Sequence, residues 1–206
     1  MTTPSLPPIT TLPTLPDSAL TSTLDLLFEP SPALHALALP TLRARPYPSY
    51  NDLIMALSVQ LMDLASSSAA AASAAGADTE GEGEGGEGEK EKRRLLHSIL
   101  GSHPRLGEKK EVLSGLSSAE QRHLNQESDP EGEVLARLNR EYEAKYPGLR
   151  FVTWVRGRGR EEVMDEMRRR IGRRDFAGEE RESIKAMCQI AADRARKLLR
   201  EGEDGR

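Results

Sequence analysis

Apolar side chains recur at helical spacing through most of the chain. After Ser18, large apolar residues return every three or four positions, which is the period of one buried helix face. After Ser49, a longer stripe of the same kind is formed by Leu53, Ile54, Leu57, Leu61 and Leu64. Similar patterns cover about residues 91–100, the stretch between Pro130 and Pro147, and about residues 160–171 and 179–200. Together these segments predict an all-α fold, a single-domain bundle of seven or eight helices.

Helix-capping residues mark several of the predicted boundaries. Pro30 ends the first run, and Ser31-Pro32 begins the next helix as its N-cap and first-turn proline. Gly101 stands just beyond a short helix, where a C-terminal glycine belongs. Residues 151–155 read FVTWV, and their aromatic and β-branched side chains predict one short extended segment among the helices.

Two segments lack the large apolar residues that a core requires. Prolines and threonines dominate residues 1–16, which predicts a flexible lead-in. Small residues and then alternating glycine and glutamate fill residues 66–90, so that burial cannot offset the entropy lost on ordering. We therefore expect one helical domain over residues 17–201, interrupted by a disordered acidic insertion at 66–90.

The composition narrows the class of protein. The 206 residues carry a net charge of only -4, which indicates neither nucleic acid nor a membrane surface as a partner. Cys188 has no second cysteine to pair with, as is typical of a reducing compartment. No apolar run approaches the roughly 20 residues that span a bilayer, and the N-terminus lacks the features of a signal peptide. A soluble intracellular protein is expected.

An arginine occupies a core position in the last predicted helix. The inward stripe reads Ile184, Met187, Ala191, Arg194 and Leu198, whereas Arg196 and Arg200 fall on the opposite face. A guanidinium among apolar neighbours is costly unless it is paired or reaches solvent. Two interpretations stay open: Arg194 is a structurally paired arginine, or it is a planar fork that binds an anionic ligand.

His103 directly precedes Pro104, just after the end of a predicted helix. Proline disfavours the α conformation in the residue before it, so His103 should project from a fixed, non-helical backbone. Its imidazole then points either to solvent or into a site.

Residues 117–121, SSAEQ, allow two interpretations. Ser117 and Glu120 match a capping box, in which both side chains bond the free amides of a helix start. The same helix start could also offer its N–H groups to a polar or anionic ligand.

The remaining candidates are weaker. His35, His97 and His123 each lie in a predicted helix and are expected to be packed or exposed helix residues. No spacing of histidine, cysteine and acidic residues is typical of a metal site, and Cys188 is expected to be an inert core thiol. The arginines of residues 155–160, VRGRGR, favour a solvated turn over a nucleic-acid site.

Seven motifs in order resemble the decarboxylases of 2-oxo-4-hydroxy-4-carboxy-5-ureidoimidazoline (OHCU), which act in the breakdown of urate to allantoin. The motifs are LFEPSP (27–32), RPYPSYNDL (45–53), HPRLG (103–107), SSAEQ (117–121), LNREYEAKY (138–146), FVTWVRGR (151–158) and IAADR (190–194). The resemblance covers roughly residues 18–200 apart from the acidic insertion, which identifies a divergent member of that family.

The resemblance implies an all-α fold, a small-molecule substrate, no cofactor and a set of site residues. It implies His103 and Glu120 as the catalytic pair and Arg194 as a substrate-binding residue. The other substrate-binding residues that it implies are Pro104, Ser117, Ser118, Ala119, Gln121, Val152, Thr153, Trp154, Val155 and Arg156.

The implied activity is decarboxylation of OHCU to (S)-allantoin, by a carboxy-lyase that works without metal, nucleic acid or membrane. The implied location is cytoplasmic or peroxisomal, although the C-terminus EDGR is not a peroxisomal tripeptide. A homodimer is possible. The alternative interpretation is a helical ligand-binding or protein-interaction domain that retains the pocket without catalysis.

Overall fold

A computed structural model of the chain describes residues 5–74, 85–107, 115–116 and 130–204. The described residues form helices and no strand, which confirms the all-α prediction. A 3-10 helix, Ile9–Thr14, precedes α1 (Asp17–Phe28), α2 (Pro32–Ala44), α3 (Tyr50–Ala74), α4 (Gly85–Leu100), α5 (Pro130–Lys145), α6 (Arg160–Gly172) and α7 (Phe176–Asp204).

Serine side chains begin two of these helices. The Ser31 hydroxyl accepts a hydrogen bond from the backbone N–H of Leu34 at 3.3 Å, with Pro32 as the first residue of α2. Ser49 accepts from the N–H of Asp52 at 3.3 Å and donates to the Asp52 carboxylate at 2.6 Å. Both caps satisfy backbone donors that have no partner inside the helix, as their sequence predicts.

One glycine is required by a close approach between two segments. Gly148 has a φ of 89°, and a Cβ at this position would lie 2.6 Å from Nδ1 of His97. Any other residue would therefore strain the backbone and displace α4 from the turn after α5.

The long helix α7 is the centre of the bundle. It packs against α1, α3 and α4, while α2 packs on α1 and α6 packs on α5. Leucines of α1 and α3 that the apolar pattern assigned to the core are fully buried: Leu20, Leu24, Leu27, Leu53, Leu57 and Leu61. The amphipathic stripes thus face one common core.

Part of the predicted lead-in, residues 1–16, contacts the helices. From residue 5 it lies against the bundle, with Leu12 buried and the Pro7 carbonyl bonded to the Tyr50 hydroxyl at 2.8 Å. Arg43 of α2 donates to the carbonyls of Pro13 and Leu15 at 3.2 and 3.0 Å. Proline-rich composition removes helix propensity, but it leaves carbonyl groups that neighbouring donors can bind.

Helices flank the middle of the predicted insertion, whose disorder stays a prediction. Helix α3 continues to Ala74 and α4 already begins at Gly85, so both flanks of residues 66–90 are helical. Alanine has the highest helix propensity, which agrees with the continuation of α3 through the alanine-rich run after Ser68. Residues 75–84 lie outside the described part of the chain.

A buried arginine holds the non-helical segment 151–155 in place. Arg170 of α6 donates to the Val152 carbonyl at 2.9 Å and to the Glu179 carboxylate at 2.7 Å. Its guanidinium carbon lies 4.5 Å from the centre of the Phe151 ring, and the Tyr142 hydroxyl donates to the same Glu179 oxygen at 2.5 Å. Arg170 thus satisfies one backbone carbonyl of the segment and stacks on its first ring, which anchors FVTWV to α6.

Replacing Arg170 should destabilise the fold severely. Arg170→Met leaves Glu179 buried without its cation, and we expect the free energy of unfolding to fall by about 3–5 kcal/mol. Urea denaturation monitored by circular dichroism measures this change. Arg168→Met is the matched control, since Arg168 is about half exposed on the same helix and bonds only Asp165 among described partners; its effect should stay below about 1 kcal/mol. Equal losses in the two variants would contradict the account.

Candidate active site

The loop after α4 carries His103 and is fastened at its start. The Gly101 N–H donates to the His97 carbonyl at 2.8 Å, and the Ser102 hydroxyl donates to the Ile99 carbonyl at 2.7 Å. Because both acceptors belong to the last turn of α4, the chain leaves the helix in a defined direction.

The same loop is also held from the C-terminal half of the chain. Arg150 donates to the His103 carbonyl at 3.1 Å, and Asn139 donates to the Leu106 carbonyl at 2.9 Å. Arg105 forms a two-pronged ion pair with Glu143, at 2.6 and 2.8 Å. These contacts on both sides of Pro104 fix the backbone from which the His103 ring projects.

The His103 ring points into the protein, which decides between the two directions that the sequence left open. Only 4% of the residue is exposed, and Nε2 has no hydrogen-bond partner among the described residues. Burial, reinforced by the positive charge of Arg194 and opposed by Glu29, lowers the pKa of His103 to about 4. The imidazole is therefore neutral near pH 7, and Nε2 is able to exchange a proton with a ligand.

Arg194, whose charge acts on the His103 ring, lies on α7, is 1% exposed and is paired. Its Nη2 donates to Oε1 of Glu29 at 2.6 Å, and Glu29 is itself only 4% exposed. The structure thus supports the paired interpretation of Arg194. An anion-binding role remains compatible with this pairing, since a guanidinium carries five N–H donors in one plane.

The segment 152–156 is bonded to α6 and α7. Arg156 donates to the carboxylate of Asp193, the neighbour of Arg194, at 2.7 Å. The Thr153 hydroxyl donates to Glu166 at 3.1 Å, and the Val152 carbonyl accepts a hydrogen bond from Arg170. At least these groups of the segment serve the fold itself.

A cavity of about 170 Å³ opens between this segment, α6 and α7. Thr153 and Trp154 line it, together with Arg158 and Lys185, whereas His103 and Arg194 do not. Of the site residues implied by the resemblance, this cavity therefore includes Thr153 and Trp154.

Five site residues of the sequence prediction lie outside the described residues: Ser117, Ser118, Ala119, Glu120 and Gln121. Pro104 is half-buried beside His103. The pairing of His103 with Glu120 stays a prediction.

The other histidines have structural partners or are not described. His35 lies 2.6 Å from Asp25, and His97 lies 2.7 Å from Glu180, in each case through a ring nitrogen and a carboxylate oxygen. His123 lies outside the described residues. These pairs link α1 to α2 and α4 to α7, so they agree with the prediction that His35 and His97 are packed helix residues.

Two buried charged residues, Glu29 and Arg170, were not among the residues that the sequence singled out. Arg170 does carry a signal, because it continues the stripe of Val163 and Met167 just as Arg194 continues its own. Glu29 lies within the LFEPSP motif, but its pairing across 165 positions leaves no periodic signal.

The described residues contain no group of three or more histidine, cysteine or acidic side chains that could hold a metal ion. Burial raises the pKa of the Cys188 thiol to about 11, which keeps it protonated, as expected of a core thiol. None of the helices in the described ranges combines the length and apolar character needed to cross a membrane.

A sequence model of the OHCU decarboxylase family matches residues 13–196. The chain belongs to the OHCU decarboxylase family. The matched region includes Glu29, His103 and Arg194, and membership supports a decarboxylase role in urate degradation. No curated protein matches the chain in a sequence search.

The His103 ring should stay neutral well below the pH at which a histidine ordinarily titrates. With ¹³C,¹⁵N-labelled histidine, its NMR signals, assigned by their loss in His103→Asn, should remain those of neutral imidazole at pH 5.5. Because the unfolded chain takes up this proton near pH 6.5 and the folded chain only near pH 4, the His103 contribution to stability should diminish as pH falls through that interval. Half-protonation of the ring near pH 6.5 would contradict the buried position.

Proposed function

We propose that this protein decarboxylates OHCU and releases (S)-allantoin. The observation that carries the proposal is the buried cluster of His103, Arg194 and Glu29, which joins a neutral proton-exchanging ring to a paired guanidinium. Family membership supplies the reaction class, and the cluster supplies groups suited to it.

Arg194 would bind the substrate through its carboxylate or its ureido and carbonyl oxygens. Away from water, a fixed guanidinium binds an anion more strongly than it does at the surface, and its planar N–H groups match a carboxylate. Backbone groups of the segment 152–156 would bond the ring of the substrate.

The reaction needs a place for electrons and a path for protons. Breaking the bond between ring carbon 4 and the carboxylate releases carbon dioxide and leaves an electron pair on the ring. The adjacent imine nitrogen of the substrate can accept this pair, so the substrate is its own electron sink. Protonation of this nitrogen and of carbon 5, together with loss of the hydroxyl proton at carbon 4, then gives allantoin. A carboxylate substrate thus takes up one proton net from the solvent, which balances the atoms and the charge.

His103 would control these proton transfers. A neutral Nε2 accepts a proton from the substrate hydroxyl, and the resulting imidazolium can return a proton to the ring. Glu120 would act with His103, and Ser117 and Gln121 would hold the substrate. Proton delivery from one face explains why one enantiomer would be formed.

Replacing His103 should abolish the enzymatic rate. In a coupled assay that generates OHCU from urate, wild-type protein should produce a rapid circular-dichroism signal of (S)-allantoin. His103→Asn should lower kcat by at least about 100-fold, the typical contribution of a general acid or base. His35→Asn, which alters a histidine paired with Asp25 away from the cluster, is the matched control and should retain turnover.

Two results would speak against the proposal. A folded His103→Asn variant with full activity would remove His103 from the mechanism. A folded wild-type protein that binds allantoin but only matches the spontaneous rate would favour the ligand-binding alternative.

A further inference from the structure

We propose that Glu29 is a positioning residue for the reaction, which holds the Arg194 guanidinium in the orientation that receives the substrate. This inference rests on the proposed function, and it assigns a role to a residue that the sequence motifs left without one.

The Glu29 carboxylate has the geometry that this role requires. Glu29 directly follows α1, and its Oε1 accepts from Nη2 of Arg194 at 2.6 Å. Both side chains are almost completely buried, so neither can exchange this partner for bulk water. An arginine has several rotatable bonds, and a buried charge-assisted bond restricts them before a ligand arrives.

The backbone at Glu29 is strained. It has φ 78° and ψ 154°, a combination that non-glycine residues rarely adopt and that costs on the order of 1–3 kcal/mol. Yet Glu29 is not a glycine here, although a glycine would adopt this conformation without strain. The side chain therefore has a use that outweighs the backbone cost, and its bond to Arg194 is a contact that a glycine could not make.

The electrostatics at His103 agree with this arrangement. The positive charge of Arg194 disfavours the imidazolium, whereas the negative charge of Glu29 favours it. The effects of the two charges on the His103 pKa thus partly cancel. A substrate carboxylate that binds Arg194 would shift this pKa again.

If the ion pair were purely structural, its loss would affect kcat and KM differently from the loss of a positioning residue. Loss of a structural pair lowers the folded fraction and with it the apparent kcat, but the molecules that remain folded keep their KM. Loss of a positioning residue changes KM in fully folded protein, because Arg194 no longer points in the direction that binds substrate.

The test compares Glu29→Gln and Glu29→Asp with Asp25→Asn in the coupled allantoin assay. Asp25 is the matched control, since its carboxylate lies on α1 and pairs with His35 rather than with Arg194. With the folded fraction measured by circular dichroism, Glu29→Gln should raise KM by about 10- to 100-fold, as expected when a charge-assisted hydrogen bond is weakened. Glu29→Asp keeps the charge and should fall between Glu29→Gln and wild type.

A double variant separates action through Arg194 from independent action. If Glu29 acts only through Arg194, adding Glu29→Gln to Arg194→Gln should not lower kcat/KM further. Multiplying losses, or an unchanged KM in folded Glu29→Gln, would overturn the inference while the decarboxylase function stands. Spontaneous-rate turnover by folded wild type and Asp25→Asn would overturn the proposed function, and the inference with it.

Discussion

The buried ion pair between Arg194 and Glu29 is the interaction on which the candidate site depends. It joins the end of α1 to the middle of α7 across 165 positions, in a place where neither charge is solvated. Two such groups are tolerated only together, because a single buried charge costs several kcal/mol. The pair therefore keeps a cation inside the bundle, close enough for its charge to act on the His103 ring.

A second buried arginine shows that burial alone does not identify function. Arg170 occupies a stripe position in α6 as Arg194 does in α7, yet its described bonds go to Val152, Glu166, Glu179 and Ser183. It satisfies a backbone carbonyl and an acidic side chain within the fold. Arg194 differs because its neighbour is a histidine whose Nε2 has no partner among the described residues.

Helix positions and the core were predictable because apolar spacing and capping are local properties. The caps at Ser31 and Ser49 and the burial of Arg194 follow from residues within a few positions of one another. The docking of the lead-in and the partner of Arg194 could not be predicted, since both depend on contacts between distant segments. Likewise, the His103 carbonyl accepts a hydrogen bond from Arg150, 47 positions away, and no local pattern reveals this contact.

A crystal structure with allantoin bound would test the central claim most directly, namely that the cluster around His103 is where the substrate binds. The account predicts that the product lies within hydrogen-bond distance of Nε2 of His103 and of the Arg194 guanidinium, with the Glu29 contact retained. Allantoin seated instead in the cavity beside Trp154, with the His103 cluster unchanged, would contradict it.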